Sequence, residues 1–97
     1  MVKQTSLFTD YDIHLFREGR HYRIYDKMGA HLHRFEEEDG VYFAVWAPNA
    51  AKVSVIGDFN YWAAGADELF PRWDGSGIWE GFIPHLTKGT NYKYHIV

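Results

Sequence analysis

Trp62 is the residue of this chain best placed to act on something outside it. It follows Gly57-Asp58-Phe59-Asn60-Tyr61 and precedes Ala63-Ala64-Gly65-Ala66, so it stands in a loop among small neighbours instead of alternating into a strand. A Trp so placed is either a flat apolar plate for a ligand or a plug over one end of a core, and the residues alone leave both readings open. Lys93 lies between Tyr92 and Tyr94. By the alternation of a strand it faces away from those aromatics, leaving its ammonium free to donate hydrogen bonds. Asn60, two residues before the indole, brings an amide to the same loop.

Other chemistries find less support. His31-Leu32-His33 spaces two imidazoles for one side of a strand, but a metal centre needs a third and fourth ligand, and none nearby is compelling. Glycoside chemistry needs two carboxyls facing each other at about 5 to 9 Å. Asp58, Asp67, Glu68, Asp74 and Glu80 are scattered over turns and one strand. Ser6, Ser54 and Ser76 lie in no nucleophile motif, and there is no phosphate loop. No catalytic residue, metal site or cofactor is therefore expected.

The elements that must position Trp62 and Lys93 read as strands. Val41, Phe43 and Val45 alternate with Tyr42, Ala44 and Trp46, and Val53 and Val55 alternate with Lys52 and Ser54, the pattern of strands with one face in a core. Between them, Ala47-Pro48-Asn49-Ala50-Ala51 interrupts pairing, because Pro donates no ladder hydrogen bond and Asn suits a turn. A short irregular strand is expected over 68–73, turn chemistry over 74–77, a strand over 78–83 ended by Pro84, and a last strand over 91–97. Trp46 and Trp79 alternate within strands and are expected to pack in a core or interface, whereas Trp73, just before a turn, is open to either role. Such spacing predicts an all-β, immunoglobulin-like β-sandwich.

Upstream, Thr9 and Asp12 make a capping box for a short helix with Tyr11 and Leu15 on one side and Gly19 as its stop. A second short helix is expected from His21 to Met28. Residues 1–33 thus read as a helical preface laid on the sandwich or on a neighbouring domain, and residues 34–97 as the sandwich module. Glu36-Glu37-Glu38-Asp39-Gly40 reads as a solvated turn before the first strand.

The run from Phe43 to Trp62 resembles the amino-terminal starch-binding module, of the family forty-eight type, that precedes the catalytic barrel of glycogen and starch branching enzymes. The resemblance rests on Phe-Ala-Val-Trp-Ala-Pro-Asn-Ala at 43–50, Val-Ser-Val at 53–55 and Gly-Asp-Phe-Asn-x-Trp at 57–62. It extends to Met28-Gly29-Ala30-His31, Gly77-Ile78-Trp79-Glu80 and Tyr92-Lys93-Tyr94, and covers most of the chain. It implies a β-sandwich without turnover of its own, with an α-glucan and the parent's catalytic barrel as partners. The implied parent is a 1,4-α-glucan branching enzyme, which cleaves an α-1,4 glucan and transfers the severed chain to a 6-hydroxyl. Trp62 and Lys93 fall on the family's glucan-binding Trp and Lys, and His31 on a His whose hydrogen bond fixes the entry to the sandwich. Tyr61 and Ala63 depart from the Gly and Asp commonly found beside that Trp, and Gly81 replaces a larger apolar residue. The rival readings are a purely structural domain docked on the barrel and a free-standing glucan-sensing module, such as the sugar-binding domain of an energy-sensing kinase subunit.

Stacking a glucose face on one indole removes about 100 Å² of apolar surface from water, a gross gain of about 2.5 kcal/mol. Association costs exceed that, so one Trp holds a glucan weakly and avidity must assist.

Composition sets the outer bounds. Ninety-seven residues, 46% hydrophobic and 24% charged, make one ordinary globular domain. Phe, Tyr and Trp reach 19%, enough to supply both a core and a binding surface. A net charge of -3 and a pI near 6.0 give no reason to expect nucleic acid or an anionic membrane. No apolar run approaches the ~18 residues of a membrane span, and the first residues lack a signal-peptide core. The lack of Cys fits a reducing cytoplasm. A (β/α)8 barrel takes about 200 to 250 residues, and the sequence stops in mid-strand at Val97, so the chain is expected to be a fragment truncated at its C-terminal end.

Overall fold

The computed structural model describes residues 2–19, 24–87 and 89–97. Among these, six strands follow helix α1 (Asp10–Arg17): β1 (Gly29–Phe35), β2 (Glu38–Trp46), β3 (Val53–Gly57), β4 (Phe70–Pro71), β5 (Ile78–Pro84) and β6 (Tyr92–Ile96). One antiparallel sheet has the order β1-β2-β5-β4, and a second pairs β3 with β6. The all-β sandwich expected from the alternation is the fold observed, with a short helix before it.

Its strands bury more than their alternation predicted. Val41, Phe43 and Ile83 of the larger sheet meet Val53, Val55 and Leu69, with Phe59, Tyr92 and Tyr94 at the margin. On the other face of the same sheet, Tyr42, Ala44 and Ile78 meet Phe8 and Ile13, with Phe16 and Met28 beside them. Strand β2 is therefore covered on both sides from Gly40 to Ala44, not on the single side expected. The cover is the N-terminal segment, which lies on the sandwich. Its first residues also join the larger sheet, since Lys3 and Phe82 exchange backbone hydrogen bonds of 2.7 and 2.9 Å.

Helix α1 begins at the expected capping box. Thr9 Oγ1 accepts from the Asp12 amide at 3.1 Å, and the Asp12 carboxylate accepts from the Thr9 amide at 2.9 Å. Gly19, at φ +69, follows the Glu18 cap as the stop. The buried side differs from expectation, because Tyr11 is exposed whereas Ile13 is buried and Phe16 meets Trp46 edge-on at 5.9 Å. In place of the second helix stands one turn of 3-10 helix, Ile24–Lys27. The beginning of that expected helix, at 21–23, lies outside the described residues, as does Lys88 of the turn over 86–90.

The expected preface also runs too long. Residues 29–33 belong to β1, whose Gly29 pairs with Ala44 and whose Phe35 pairs with Glu38, so a boundary between 33 and 34 would cut a paired strand. Alternating partial burial along 29–35 is the physical reason, since a helix would have buried every third or fourth residue. His31 makes the contact that the resemblance implies, its Nε2 lying 2.6 Å from the Met28 carbonyl at the mouth of β1. Within the acidic run only Glu36 and Glu37 turn, at φ 52 and 66, while Glu38, Asp39 and Gly40 enter β2. Two positive φ angles in a two-residue hairpin loop are the pattern that Asn-Gly usually fills.

A buried polar network fastens the N-terminal segment to the sheet. Glu80 Oε1 accepts from Tyr42 Oη and Ser6 Oγ, both at 2.7 Å. Arg72, with 4% of its side chain exposed, donates to Ser6 Oγ at 2.6 Å and to Asp74 Oδ2 at 2.8 Å, and its Nη1 lies 3.9 Å from Glu80. Burial pushes the Glu80 carboxyl above its ordinary range, and the Ser6 and Tyr42 hydroxyls and the Arg72 charge offset this only in part. Burial also acts to raise Asp74, but hydrogen bonds from Arg72 and Ser76 outweigh it and hold that carboxyl below its ordinary range.

Two outcomes are expected. Glu37→Gly, which relieves a left-handed L-residue at the cost of a more flexible unfolded chain, raises the unfolding free energy by about 0.5 to 1 kcal/mol in urea denaturation. For Glu80 the sign follows from a folded-state pKa raised above the unfolded one. Its proton stabilises the fold at low pH, and that contribution is lost as pH climbs from near 4.5 through the raised value. The stability of the wild type minus that of Glu80→Gln therefore falls with rising pH across this window, as paired urea titrations at pH 4 and pH 7 check.

Candidate functional site

The loop carrying Trp62 is built by hydrogen bonds that close on Gly57 and Asn60. Chain direction changes at a 3-10 turn, Asp58–Asn60, after β3. Asn60 Oδ1 accepts from the Gly57 amide at 3.0 Å, and its Nδ2 donates to the Val55 carbonyl and to Asp67 Oδ2, both at 2.8 Å. Both N–H groups of the amide are thus engaged inside the loop. The residue expected to add an amide to the binding surface works here as the loop's fastener.

Beyond that turn the backbone takes an unusual course. Tyr61 and Trp62 are consecutive non-glycine residues in the left-handed region, at φ 56 and 57. Each such residue costs about 1 to 2 kcal/mol, so the surroundings must hold the pair in place. The Trp62 amide donates to the Gly57 carbonyl at 2.9 Å, and the indole Nε1 donates to Asp58 Oδ1 at 2.9 Å. Trp62 keeps 41% of its surface exposed, and Tyr61 beside it keeps 93%. Trp62 is accordingly a clamped, part-open indole and not a plug buried in the interior.

The rest of the loop is stitched to the free side of β3. The Gly65 amide donates to Ser54 Oγ at 3.3 Å, the Val55 amide to the Asp67 carbonyl at 2.9 Å and the Leu69 amide to the Val53 carbonyl at 2.8 Å. On the opposite side of β3 runs β6, with Lys93 paired to Ile56 and Tyr92 to Gly57. Tyr92 and Tyr94 turn inward against Phe43, with ring centroids 5.0 and 6.5 Å away, and Lys93 is exposed, as the alternation predicted. Lys93 thus sits one rung from Gly57, the residue whose carbonyl ties down Trp62. Gly57 must be small at this junction, because a Cβ there would collide with the Asn91 carbonyl and the Phe59 ring.

Sequence reasoning missed the Asp58 clasp on the indole, although the Asp-x-x-x-Trp spacing was its signal. It also missed the inward commitment of Asn60, for which no local pattern distinguishes inward from outward. The remaining Trp residues divide. Trp79 is part-buried and donates to the Ala47 carbonyl at 3.1 Å, Trp46 is half-exposed and donates to the Ser76 carbonyl at 3.1 Å, and Trp73 is 77% exposed. Among the described residues no cluster of His, Asp and Glu has the makings of a metal site, and no helix is long and apolar enough to cross a membrane.

Comparison with known proteins agrees with this geometry. The family model for carbohydrate-binding module 48 (isoamylase N-terminal domain) matches residues 27–97. The chain belongs to that carbohydrate-binding family. It is 60% identical over 88 residues to the 1,4-alpha-glucan branching enzyme GlgB of Thermosynechococcus vestitus, which covers 91% of this chain and 11% of that protein. GlgB of Synechococcus elongatus is 55% identical over 96% of the chain and 12% of that enzyme, and GlgB of Aromatoleum aromaticum is 55% identical over 95% and 14%. The chain therefore spans about an eighth of the length of these relatives, and no catalytic barrel is contained in it.

If Asn60 fastens the loop, Asn60→Ala leaves the buried Gly57 amide without its acceptor. The expected loss is about 1 to 3 kcal/mol of unfolding free energy, read from urea denaturation.

Proposed function

We propose that this chain is the non-catalytic glucan-binding module of a 1,4-alpha-glucan branching enzyme, and that Trp62 and Lys93 contact the α-glucan. The parent cleaves an α-1,4 glucan and transfers the freed chain to a 6-hydroxyl, forming the α-1,6 branches of glycogen. The module holds glucan near the barrel that does this chemistry. The observation that carries the reading is the fixed, part-open indole of Trp62 in a member of a carbohydrate-binding family. Its N–H is held by Asp58 and 41% of the residue stays exposed, and an indole face suits the C–H face of a glucose unit. Lys93 supplies hydrogen-bond donors to hydroxyls from the neighbouring strand. Asn60 serves the site indirectly, by holding the loop in the shape that presents the indole. The names of the relatives, branching enzymes throughout, support the choice of parent.

Affinity electrophoresis through native gels containing glycogen tests this. Trp62→Ala is expected to lose most of the retardation shown by the wild type, and Lys93→Ala part of it, with circular dichroism unchanged for both. Equal mobility of the three proteins favours a domain that only packs against its parent's barrel.

A further inference from the structure

We propose a second α-glucan contact, centred on Trp73, in the depression between α1 and the turn that follows β4. The inference rests on the reading of the chain as a glucan-binding module, but it uses residues that the Trp62 loop does not. Trp73 is the most exposed of the four indoles whose surroundings are described above, at 77%. An indole left this open loses the free energy that burial would bring, about 25 cal/mol for each Å².

The ring is nonetheless held. Its neighbour Arg72 is buried in the polar network, and its guanidinium carbon lies 5.8 Å from the Trp73 ring centroid, within cation–π range. The turn beyond is tied by the Ser76 amide to Asp74 Oδ1 at 3.1 Å and by Arg17, which donates to the Asp74 carbonyl. A plate fixed in this way gives up little freedom when a ligand stacks on it, which lowers the cost of binding.

Polar groups border the plate. The depression, of about 280 Å³, is lined by Asp10, Ile13, His14, Arg17, Trp73 and Asp74. Asp10, His14 and Arg17 succeed one another at intervals of four and three residues and so share one side of α1. The exposed Asp10 carboxylate, the His14 imidazole and the Arg17 guanidinium beside the indole can pair with the hydroxyl rim of a sugar while its C–H face stacks, whereas the Asp74 carboxylate is buried and already held by Arg72 and the Ser76 amide. Both acidic and basic groups line the depression, which favours a neutral polyol over an anion. The volume falls just below the ~300 to 1,000 Å³ of sites for drug-sized ligands, so about one sugar ring fits. Such a contact is weak alone. On a branched polymer it acts together with Trp62, and the gain lies in avidity.

The test compares the wild type with Trp73→Ala, Trp62→Ala and the double variant in glycogen gels. It also follows the Trp73 indole N–H resonance of the wild type during titration with maltoheptaose. We expect Trp73→Ala to weaken glycogen binding roughly tenfold, the double variant to lose more than either single one, and the Trp73 resonance to shift. Unaltered retardation of Trp73→Ala with a stationary Trp73 resonance overturns the second contact, and a loss confined to Trp62→Ala would then leave the first intact. Retardation lost by Trp73→Ala but kept by Trp62→Ala supports the second contact and removes the first. If Trp73→Ala fails to fold, the resonance of the wild type decides by itself, a shift supporting the contact and its absence overturning it.

Discussion

Burial of β2 on both faces is the constraint on which the rest of the structure depends. A strand in an antiparallel sheet commonly faces solvent on one side. Here Phe43 looks into the sandwich and Tyr42 looks out of it, and both are fully buried. The second face needs a cover, and the chain supplies it from residues 6–16. Apolar contact by Phe8 and Ile13 provides area but little direction, whereas the hydrogen bonds joining Ser6, Tyr42, Arg72 and Glu80 specify where the segment lies. Breaking one member of such a buried set leaves a charge or a hydroxyl unpaired, which is costly in a medium of low dielectric. The short preface is thus part of the folded body.

The same division between area and direction governs the Trp62 loop. Packing alone would pull a Trp inward. What keeps this one at the surface is a set of directed bonds: Asn60 to Gly57, Val55 and Asp67, the Trp62 amide to Gly57, and the indole to Asp58. These bonds offset the strain of two left-handed residues in succession. At position 61, φ +56 is free of strain for Gly and unfavourable for Tyr. That this chain keeps the conformation with Tyr61 shows that the loop's shape is set by its fasteners more than by the preference of the residue at the bend.

How much of this was legible in the sequence depends on how far apart the partners lie. The capping box of Thr9 and Asp12 spans three residues and was read correctly, as were the alternation that turns Lys93 outward and the loop position of Trp62. Strand β1 was missed because Gly29 to His33 carries no β-branched residue, and its strand character comes from pairing with β2. Glu36-Glu37 gave no hint of a two-residue hairpin, since neither residue favours a positive φ. The Glu80 network joins positions up to 74 apart in the chain. No window along the sequence contains it. Asn60 marks a further kind of limit, because its partners are near in sequence but the direction of a side chain in a loop follows from tertiary position.

Rigidity, finally, bears on what a small module can do with weak contacts. An indole stacked on a glucose unit gains only a few kcal/mol before the costs of association, and those costs include fixing any side chain that was mobile beforehand. The indole of Trp62 is already immobilised by Asp58, and that of Trp73 lies beside a buried guanidinium, so neither has much left to lose. Free energy spent during folding on a strained loop and a buried ion network is then absent from the binding step. For a polymer that presents many equivalent chain ends, pre-set but shallow contacts allow capture by several at once and release one by one. A deep pocket would bind one end more tightly and surrender it more slowly. If the chain serves beside a glucan-processing enzyme as proposed, a module that must repeatedly let go of its ligand is better served by the shallow arrangement.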